Sequence, residues 1–407
     1  MGVFSFGMTG LGGYAGWICD QLLGTKDPST RDDSVRLAAV FEPDLKANGA
    51  RAERARRAGV KLVGSYDELL AESVDGIWLP LPIDLHRTFT EKSLKAGKPV
   101  LVEKPAAGSV DDVDAMITAR NAANVPVAVG FQNLFDASAW ATKRELLNGA
   151  IGKIQSASVI ACWPRSTTYF ARTPWAGKLK RGDTWILDSP ANNALAHFVN
   201  LTLFLLGQTE SESAQPTQVE AELYRANKIE SYDTCFIRYE VPSGAKLLVA
   251  MTHACEKHMG PIITIRGEKG TCTFHNEDRY EITTSAGKKS FPAMKHLTKN
   301  IVHGFVNLVR GNNCAHAATL ENARAHTVAI NGAVEAAPVY DVPHNFITAQ
   351  PSEDGGQILT IKGIDKAIVG AGEKIALLSE LQTAGWSKPA GKKNLINYNH
   401  FSGPFGT

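Results

Sequence analysis

A glycine-rich turn near the start of the chain has the residue types and spacing to bind a dinucleotide. The turn reads Gly10-Leu11-Gly12-Gly13-Tyr14-Ala15. In this pattern one glycine permits the tight turn, a second lets the backbone approach a pyrophosphate, and a small residue packs the helix against the strand. Backbone N–H groups at the start of the helix would hold the phosphates. The turn follows a predicted strand and opens a predicted helix, as this chemistry requires. The alternative is a turn that binds no ligand.

An acidic residue stands where the ribose of such a dinucleotide would be held. Glu42 ends the second predicted strand, thirty residues after Gly12, where about twenty is usual. The polar loop 27–34 accounts for the excess. A carboxylate at this point disfavours a 2′-phosphate, so NAD is preferred, and NADP stays possible because Arg36 is near. The alternative is that Glu42 is a surface cap.

A lysine at the end of a later strand is the sharper candidate for catalysis. Lys104 lies in the segment Leu101-Val102-Glu103-Lys104-Pro105. Side chains at the carboxyl ends of parallel strands point into the crevice where open α/β sheets bind ligands. Taken alone, Glu103 and Lys104 fit a surface ion pair equally well.

The elements that must position these residues are short apolar runs separated by helical patterns. Such alternation predicts a doubly wound parallel α/β sheet of the Rossmann type. The predicted strands span 3–8, 36–43, 74–82, 98–105 and 125–133.

The pattern changes after residue 150, where strands follow one another without intervening helices. This predicts a second, α+β domain with a large, mostly antiparallel open sheet, its strands mainly within 151–291. Helices are predicted again over 297–311, 320–337 and 365–385. We therefore expect a nucleotide domain at 1–130, a substrate and oligomerisation domain at 131–385, and a tail at 386–407. The segment 339–357 and the tail are expected to be loops.

Composition excludes several classes of protein. The 407 residues carry 43 Lys and Arg against 41 Asp and Glu, a net charge of +2, which gives no field to attract nucleic acid. The longest apolar stretch, 195–206, is too short to span a bilayer, and no secretory signal is evident. The six cysteines are scattered without a CxxC pair, so disulfides and a zinc ribbon are not expected. We expect a cytoplasmic protein without nucleic-acid or membrane partners.

Two segments imitate metal sites without a complete ligand set. The first is Thr252–His258, which contains His253, Cys255 and His258, and the second is Cys314 with His316. Neither has the number and spacing of ligands that a metal centre needs. No metal is expected.

Several motifs together resemble the Gfo/Idh/MocA oxidoreductases, which act on sugars and cyclitols. The glycine turn, Glu42-Pro43, Pro82 with His86, and Glu103-Lys104-Pro105 occur in the order and rough spacing of that family. Later segments at 130–139, 148–159 and 263–274 continue the likeness. The resemblance implies an NAD-binding Rossmann domain followed by a substrate domain. The cofactor residues it implies are Gly10, Leu11, Gly12, Gly13, Tyr14, Ala15, Glu42, Leu81, Pro82, His86, Glu103 and Lys104.

The resemblance also implies catalytic roles. In this family the lysine of the EKP motif, here Lys104, lies beside the substrate carbinol and the nicotinamide. The proton-relay histidine corresponds to His197, ten residues before Gly207. The family's relay aspartate falls on Asn193, an amide that cannot take a proton, and Asp188 replaces it only if the intervening segment folds back. These roles require the Lys104 and His197 side chains to converge on a bound nicotinamide, and which of them is the formal base is left open.

Amide side chains and aromatic rings are the candidates for holding substrate hydroxyls. The expected substrate residues are Lys104, Gln132, Asn133, Asn192, Asn193, His197 and Trp163. Tyr169 and Trp175 follow Trp163 in the same predicted loop and could supply further aromatic faces; the alternative is that these rings are ordinary loop and core aromatics. Leu134 stands where many relatives carry Arg, which makes a phosphorylated or carboxylated substrate less favoured.

The sequence thus predicts an NAD(P)-dependent dehydrogenase or reductase acting on CH–OH groups of a sugar-like small molecule. Two alternatives stay open: a glycoside hydrolase or lyase that retains NAD and oxidises the sugar transiently, and a dinucleotide-binding sensor without catalysis. By analogy with the family, a homodimer or homotetramer is expected.

Overall fold

A computed structural model describes residues 2–275, 278–312 and 316–406. Cys314, considered above as a metal ligand, lies outside the described residues. The first six strands are β1 (Phe4–Thr9), β2 (Val35–Phe41), β3 (Lys61–Val63), β4 (Gly76–Leu79), β5 (Val100–Val102) and β6 (Val127–Val129). The later strands are β7 (Ile154–Cys162), β8 (Lys180–Arg181), β9 (Thr184–Trp185), β10 (Gln218–Arg225), β11 (Thr234–Glu240), β12 (Lys246–Thr252), β13 (Met259–Gly267), β14 (Gly270–His275), β15 (Arg279–Thr284), β16 (Gly287–Pro292), β17 (Val339–Asp341), β18 (Ile347–Pro351), β19 (Gln357–Ile361) and β20 (Gly391–Asn394).

Helices connect and cover these strands. The α-helices are α1 (Gly13–Leu23), α2 (Gly49–Arg57), α3 (Tyr66–Ala71), α4 (His86–Lys95), α5 (Val110–Ala123), α6 (Ala137–Leu147), α7 (Thr167–Ala171), α8 (Ala196–Leu205), α9 (Leu297–Val309), α10 (Leu320–Ala336), α11 (Ile364–Lys374) and α12 (Leu378–Leu381). Short 3₁₀ helices span Pro28–Thr30, Ile83–Leu85, Gln132–Phe135 and His344–Phe346. Within the described ranges, no helix combines the length and apolarity needed to cross a membrane.

The first sheet confirms the predicted Rossmann architecture. Its six strands are all parallel and run in the order β3-β2-β1-β4-β5-β6. β1 is buried along its whole length, as expected for a central strand covered on both faces. The strand order reverses beside β1, and the carboxyl ends of β1 and β4 define the crevice where such sheets bind ligands. The prediction had omitted β3, which has only three residues.

The second sheet is mixed and mostly antiparallel, as predicted. Its ten strands follow the order β16-β15-β14-β13-β7-β12-β11-β10-β17, and β20 also pairs with β10. Two pairs are parallel, β12 with β7 and β10 with β17. The predicted late strand pair is confirmed as the antiparallel β13 and β14.

Helices cover both faces of this second sheet. On one face Phe198 of α8 packs against Phe274 of β14, with ring centroids 6.4 Å apart. On the other face Ile364 and Ile368 of α11 enter a buried cluster with Ile160 of β7. The central strands are therefore enclosed by the chain's own helices.

Three predictions about the C-terminal part were wrong in detail. The expected loop at 339–357 contains β17 and β18, and the expected loop in the tail contains β20. The helix expected over 365–385 is two helices, α11 and α12, because Ile375 adopts a left-handed backbone conformation with φ of 53°.

The chain divides into two compact units, but not at one point along the sequence. The first unit comprises 1–107, 112–136 and 294–323, and the second comprises 108–111, 137–293 and 324–407. The segment 294–323 joins the first unit because Phe305 of α9 stacks on Phe6 of β1, with ring centroids 5.8 Å apart. The tail joins the second unit, where β20 extends the sheet beyond β10.

Candidate functional site

The glycine turn lies between β1 and α1 and has the backbone that its sequence predicts. Gly10 and Gly13 adopt φ values of 82° and 50°, a region that residues with a Cβ rarely enter. The Gly10 amide donates to the Phe41 carbonyl at 2.7 Å, which ties the turn to the end of β2. The turn is thus held beside the end of β2, which Glu42 follows.

Neither the backbone conformation nor the packing around position 12 requires a glycine there. Its φ and ψ are −83° and 156°, a conformation open to any residue. A Cβ added there would meet only the Asn48 side chain, at the ordinary contact distance of 3.4 Å. Gly12 caps the N-terminus of α1, where unpaired N–H groups favour an anion. A bare backbone at this point fits the pyrophosphate of a dinucleotide.

The small residue that the motif predicts packs against the turn. Ala15 is buried, and a Cβ added at Gly10 would lie 3.3 Å from the Ala15 Cβ. A second close contact involves Gly16, whose added Cβ would lie 2.3 Å from the Leu11 carbonyl oxygen. The same Leu11 oxygen accepts a 3.0 Å hydrogen bond from the Arg51 Nη1. Sequence reasoning missed both Gly16 and Arg51.

Glu42 follows β2 directly and is buried against the turn. One carboxylate oxygen accepts a hydrogen bond from the Leu11 amide, and the other accepts one from the Asp44 amide at 2.7 Å. Each carboxylate oxygen has a second lone pair, so the group keeps capacity for ribose hydroxyls while it fixes the turn.

Glu103 is a buried carboxyl group at the carboxyl end of β5. Its Oε1 accepts a hydrogen bond of 3.1 Å from the indole N–H of Trp78. Burial raises the pKa of Glu103 to about 7, opposed by the Trp78 hydrogen bond and the nearby Lys104 charge. Gly130 leaves room for this carboxylate, because an added Cβ would lie 2.7 Å from its Oε2.

Tyr14 lies on the first turn of α1 and interacts electrostatically with Glu103. Its ring is stacked on that of Trp17, with centroids 5.4 Å apart, and about half of its surface is exposed. Burial of the hydroxyl end, and then the Glu103 charge, raise the pKa of Tyr14 above its ordinary value.

His86 connects two of the loops at this edge of the sheet. It is fully buried, and its Nδ1 and Nε2 lie 2.9 and 2.8 Å from the carbonyl oxygens of Pro105 and Leu81. Burial lowers the pKa of His86. Pro82 precedes the 3₁₀ helix at Ile83–Leu85. His86 thus fixes the loop after β4 to the segment that carries Lys104.

Lys104 directly follows Glu103, is partly buried, and is joined to Pro105 by a cis peptide bond. Gln132 and Asn133 begin the 3₁₀ helix after β6, in the same unit. Gln132 is partly buried and Asn133 is buried. The Asn133 Oδ1 is enclosed and has no hydrogen-bond partner among the described residues.

The remaining predicted residues belong to the second unit. His197 is the second residue of α8 and is partly buried. Asn193 donates through Nδ2 to the Asp188 carboxylate at 2.6 Å, so the segment between them folds back on itself. The other Asp188 oxygen accepts from the Gly177 amide at 2.6 Å. Asp188 is therefore hydrogen-bonded to Asn193, which stands where the family pattern has an aspartate.

Asn192 and Trp163 make contacts within the protein. The Asn192 Nδ2 donates to the carbonyls of Ile186 and Leu187 at 3.0 and 3.2 Å, which holds the preceding loop. The Trp163 indole donates to the Gly260 carbonyl at 3.1 Å, and its ring is stacked on His258, with centroids 5.2 Å apart.

Two arginines and a histidine surround Tyr169, and sequence reasoning did not connect them with it. The guanidinium carbons of Arg165 and Arg172 lie 4.8 and 3.5 Å from the centre of the Tyr169 ring. His253 lies beside them, and burial and the Arg165 charge lower the pKa of His253 to about 3. The spacing of Trp163, Tyr169 and Trp175 was a signal for the aromatic part, but nothing in the sequence joined the arginines to it.

One group of possible metal ligands occurs in the described part of the chain. The donor atoms of Cys162, Cys255 and Asp365 lie within 4.8 Å of one another in the interior of the second unit. Three donors are fewer than the four that structural zinc sites use.

Two family models match the chain. One, described as an oxidoreductase family with an NAD-binding Rossmann fold, matches residues 4–131. The other, the GFO/IDH/MocA C-terminal domain, matches residues 140–273. Together they cover more than half of the 407 residues.

Curated relatives match over shorter stretches. A dTDP-3,4-didehydro-2,6-dideoxy-alpha-D-glucose 3-reductase of Streptomyces violaceoruber is 34% identical over 29% of this chain and 35% of its own. An inositol 2-dehydrogenase of Rubrobacter xylanophilus is 30% identical over 36% of this chain and 40% of its own. The chain thus spans less than half the length of these relatives.

A solved structure matches over most of the chain. The WlbA dehydrogenase of Bordetella pertussis, in complex with NADH and UDP-GlcNAcA, has a TM-score of 0.63 and 23% identity. The match covers 80% of this chain and 94% of that one. At this identity the likeness shows a shared fold.

Proposed function

The chain belongs to the Gfo/Idh/MocA oxidoreductase family, and we propose that it transfers hydride between NAD and a secondary hydroxyl or ketone of a sugar, sugar derivative or cyclitol. The observation that carries this proposal is Gly12, a glycine that neither backbone strain nor packing requires. When bound, NAD supplies a nicotinamide ring that accepts or returns hydride. The relatives named as a sugar reductase and an inositol dehydrogenase support the substrate class.

The first unit supplies the residues that hold the cofactor. Gly10 to Ala15 present the α1 N-terminus to the pyrophosphate, and Glu42 accepts hydrogen bonds from the adenine ribose. The negative charge of Glu42 repels a 2′-phosphate, so NAD is favoured over NADP. Leu81, Pro82 and the segment fixed by His86 complete the cofactor side, with His86 as a positioning residue because both its nitrogens face backbone carbonyls.

Lys104 and His197 are assigned to the reacting oxygen of the substrate. Oxidation of a secondary alcohol needs a base within hydrogen-bond reach of the hydroxyl, and reduction needs the same group to return the proton. Lys104 hydrogen-bonds the oxygen, and His197 takes or returns the proton. Glu103 interacts electrostatically with Lys104, so the protonation state of the Glu103 carboxyl changes the charge beside the Lys104 ammonium group.

The position of the family's relay aspartate is occupied by an amide in this chain. Asn193 cannot accept a proton, but it is hydrogen-bonded to the buried Asp188. We assign to Asp188 the negative charge that relatives place four residues before the histidine. Asn193 then orients the segment while Asp188 stabilises positive charge on its side of α8.

Amide groups in the first unit are candidates for substrate hydroxyls. The Asn133 Oδ1 is a buried acceptor without a partner among the described residues, and leaving such an atom unsatisfied costs about 1–3 kcal/mol. A substrate hydroxyl would satisfy it. Gln132 precedes Asn133 on the same 3₁₀ helix and is assigned a similar role.

The test is a panel of sugars and cyclitols incubated with NAD and followed at the NADH absorbance. The proposal predicts NADH in a one-to-one ratio with the ketone product for at least one member. Product without net NADH would indicate the NAD-retaining hydrolase or lyase. NAD binding with no turnover of any member would instead favour the sensor.

We retain the expectation that the chain works in the cytoplasm as a homodimer or homotetramer. Light scattering after gel filtration tests the assembly, and a monomer over the working concentration range would refute it.

A further inference from the structure

The loop after β7 contains two arginines for which the described part of the chain supplies no ion-pair partner. Arg165 and Arg172 both face the ring of Tyr169. Among the described residues, no carboxylate lies within 4.0 Å of either guanidinium, although many other exposed arginines of the chain are paired. The Arg165 Nε is also enclosed without a hydrogen-bond partner in that part of the chain.

The cluster is held in place from three directions. The Arg165 amide donates to the His253 carbonyl at 3.1 Å, which ties the loop to the end of β12. Ser166 caps α7 by accepting from the Tyr169 amide at 3.1 Å. From the β18–β19 hairpin, the Gln357 amide donates to the Thr167 hydroxyl at 3.0 Å. The arginines therefore project from an ordered segment.

Two carboxylates that interact with residues of this loop are hydrogen-bonded to other groups. Asp188, which influences the pKa of Tyr169, accepts from the Gly177 amide and from Asn193. Asp354 of the hairpin accepts from the Ser166 hydroxyl. The positive charge of the cluster is left uncompensated, and it contributes to the lowered pKa of His253.

Aromatic rings extend the cluster toward α8, the helix that carries His197. The Arg172 guanidinium lies 5.3 Å from the centre of the Trp175 ring, and that of Arg165 lies 5.7 Å from Trp163. Trp163 in turn packs edge-on against Phe198, the residue after His197, with ring centroids 6.0 Å apart. The cluster thus adjoins the start of α8.

We propose that Arg165 and Arg172 bind the carboxylate or phosphate of an acidic sugar substrate, with Tyr169 orienting both guanidinium groups. This inference rests on the proposed hydride transfer for its link to catalysis. It reverses the expectation, drawn from Leu134, that a charged substrate is disfavoured. Arginine suits both anions, because its planar fork of N–H donors matches their oxygens.

The test compares one neutral and two anionic probes of similar size on the full chain. D-glucose, D-glucuronate and D-glucose 6-phosphate are titrated calorimetrically into wild type, R172Q, R165Q and R279Q, with NADH added and without. R279Q is the matched control, because Arg279 lies in the same unit and is paired with Asp278 at 2.7 Å. Melting temperatures check that each variant is folded.

At least one anionic probe should bind wild type about tenfold more tightly than glucose, since charge-assisted hydrogen bonds are stronger than those between neutral groups. R172Q should remove that preference and R279Q should keep it. R165Q should behave as R172Q does. Preference for glucuronate identifies a carboxylate as the natural anion, and preference for glucose 6-phosphate identifies a phosphate.

Four results would overturn the anion site: equal binding of glucose, no binding of either anion, an equal loss for all probes in R172Q, or the same loss in R279Q. The NADH assay with the same probes separates this inference from the proposed function. Arginine-dependent anion binding without any NADH production leaves the site standing and removes hydride transfer. NADH production from neutral sugars, with equal binding of the anionic and neutral probes, leaves hydride transfer standing and removes the anion site.

Discussion

Polar side chains make different contacts around the glycine turn of the first unit and in the loop after β7 of the second. Around the glycine turn, polar side chains are bound to the backbone of their own unit: Glu42 to two amides, and His86 to two carbonyls. In the loop after β7, Arg165 and Arg172 contact aromatic rings and no carboxylate among the described residues. The first arrangement is complete before any ligand binds, and the second leaves charge to be neutralised.

We infer from this difference that the first unit determines cofactor binding and the second unit determines which substrates are used. A turn fixed by the chain itself recognises the same cofactor whatever the substrate. An uncompensated charge discriminates between substrates, because an anion gains from it and a neutral molecule does not. Changes on the cofactor side should therefore alter binding of NAD or the chemical step, and changes in the second unit should alter which substrates are used.

The largest effect is expected from K104M. Removing the group that hydrogen-bonds the reacting oxygen should lower kcat by about 10²–10³-fold, while NAD binding, measured by calorimetry, should fall by a much smaller factor. K95M is the control, because Lys95 is an exposed lysine on α4 of the same unit. Turnover by K104M close to that of wild type would refute the catalytic role.

The second effect is a pH dependence of stability at Glu103. Burial raises the pKa of Glu103 from 4.5 to about 7, so the folded state holds this proton more tightly than the unfolded state. The stabilisation is complete below about pH 4.5 and is lost as the pH rises through about 7. Over that range wild type should lose up to about 3 kcal/mol more than E103Q. Urea unfolding of both proteins across this range measures the difference, and parallel curves would contradict it.

The third effect distinguishes two glycines of the turn. G12A should fold as wild type does but bind NAD about tenfold or more weakly, because overlap costs about 1–3 kcal/mol. G16A should lower the melting temperature of the free protein, since its Cβ would lie 2.3 Å from a backbone oxygen. Thermal melts and NAD titrations of both variants test this. A destabilised G12A with normal NAD affinity would show that Gly12 serves folding.

The smallest effect is expected from changes at Asp188 and Asn193 of the second unit. D188N should lower kcat about tenfold, since it removes a charged hydrogen bond worth about 1.5–3 kcal/mol. N193D should place two carboxylates together, which raises the pKa of one of them and moves the acid limb of the pH profile upward. The double variant D188N/N193D exchanges the two groups and should recover most of the activity. A double variant as slow as the worse single variant would argue against the exchange.

The cofactor side was predictable because its signals are local in the chain. Gly10 and Gly12 stand within a few residues of the strand and helix that they join, and Lys104 ends a clear apolar run. Periodicity and turn chemistry act over such distances. The additional close contact at Gly16 was not predictable, since it depends on how α1 packs against Leu11.

The rest depends on pairings between distant segments. β20 reads Gly-Lys-Lys-Asn, a sequence without strand propensity, and it is a strand because it extends the sheet beyond β10. Arg165 meets His253, and Ser166 and Thr167 meet the β18–β19 hairpin, only after the chain has folded. No local pattern carries that information, so the sequence indicated the aromatic residues of this loop and not the charges beside them.

Helix α11 has a consequence for how two copies of this chain can associate. It places Ile364 and Ile368 over the central strands of the second sheet, so the apolar part of that face is already occupied. Beyond it, the outer strands present the partly exposed side chains of Thr271, Thr273, Glu281 and Thr283 on the same side. An interface on this face would therefore be hydrophilic and would rely on hydrogen bonds more than on buried apolar area.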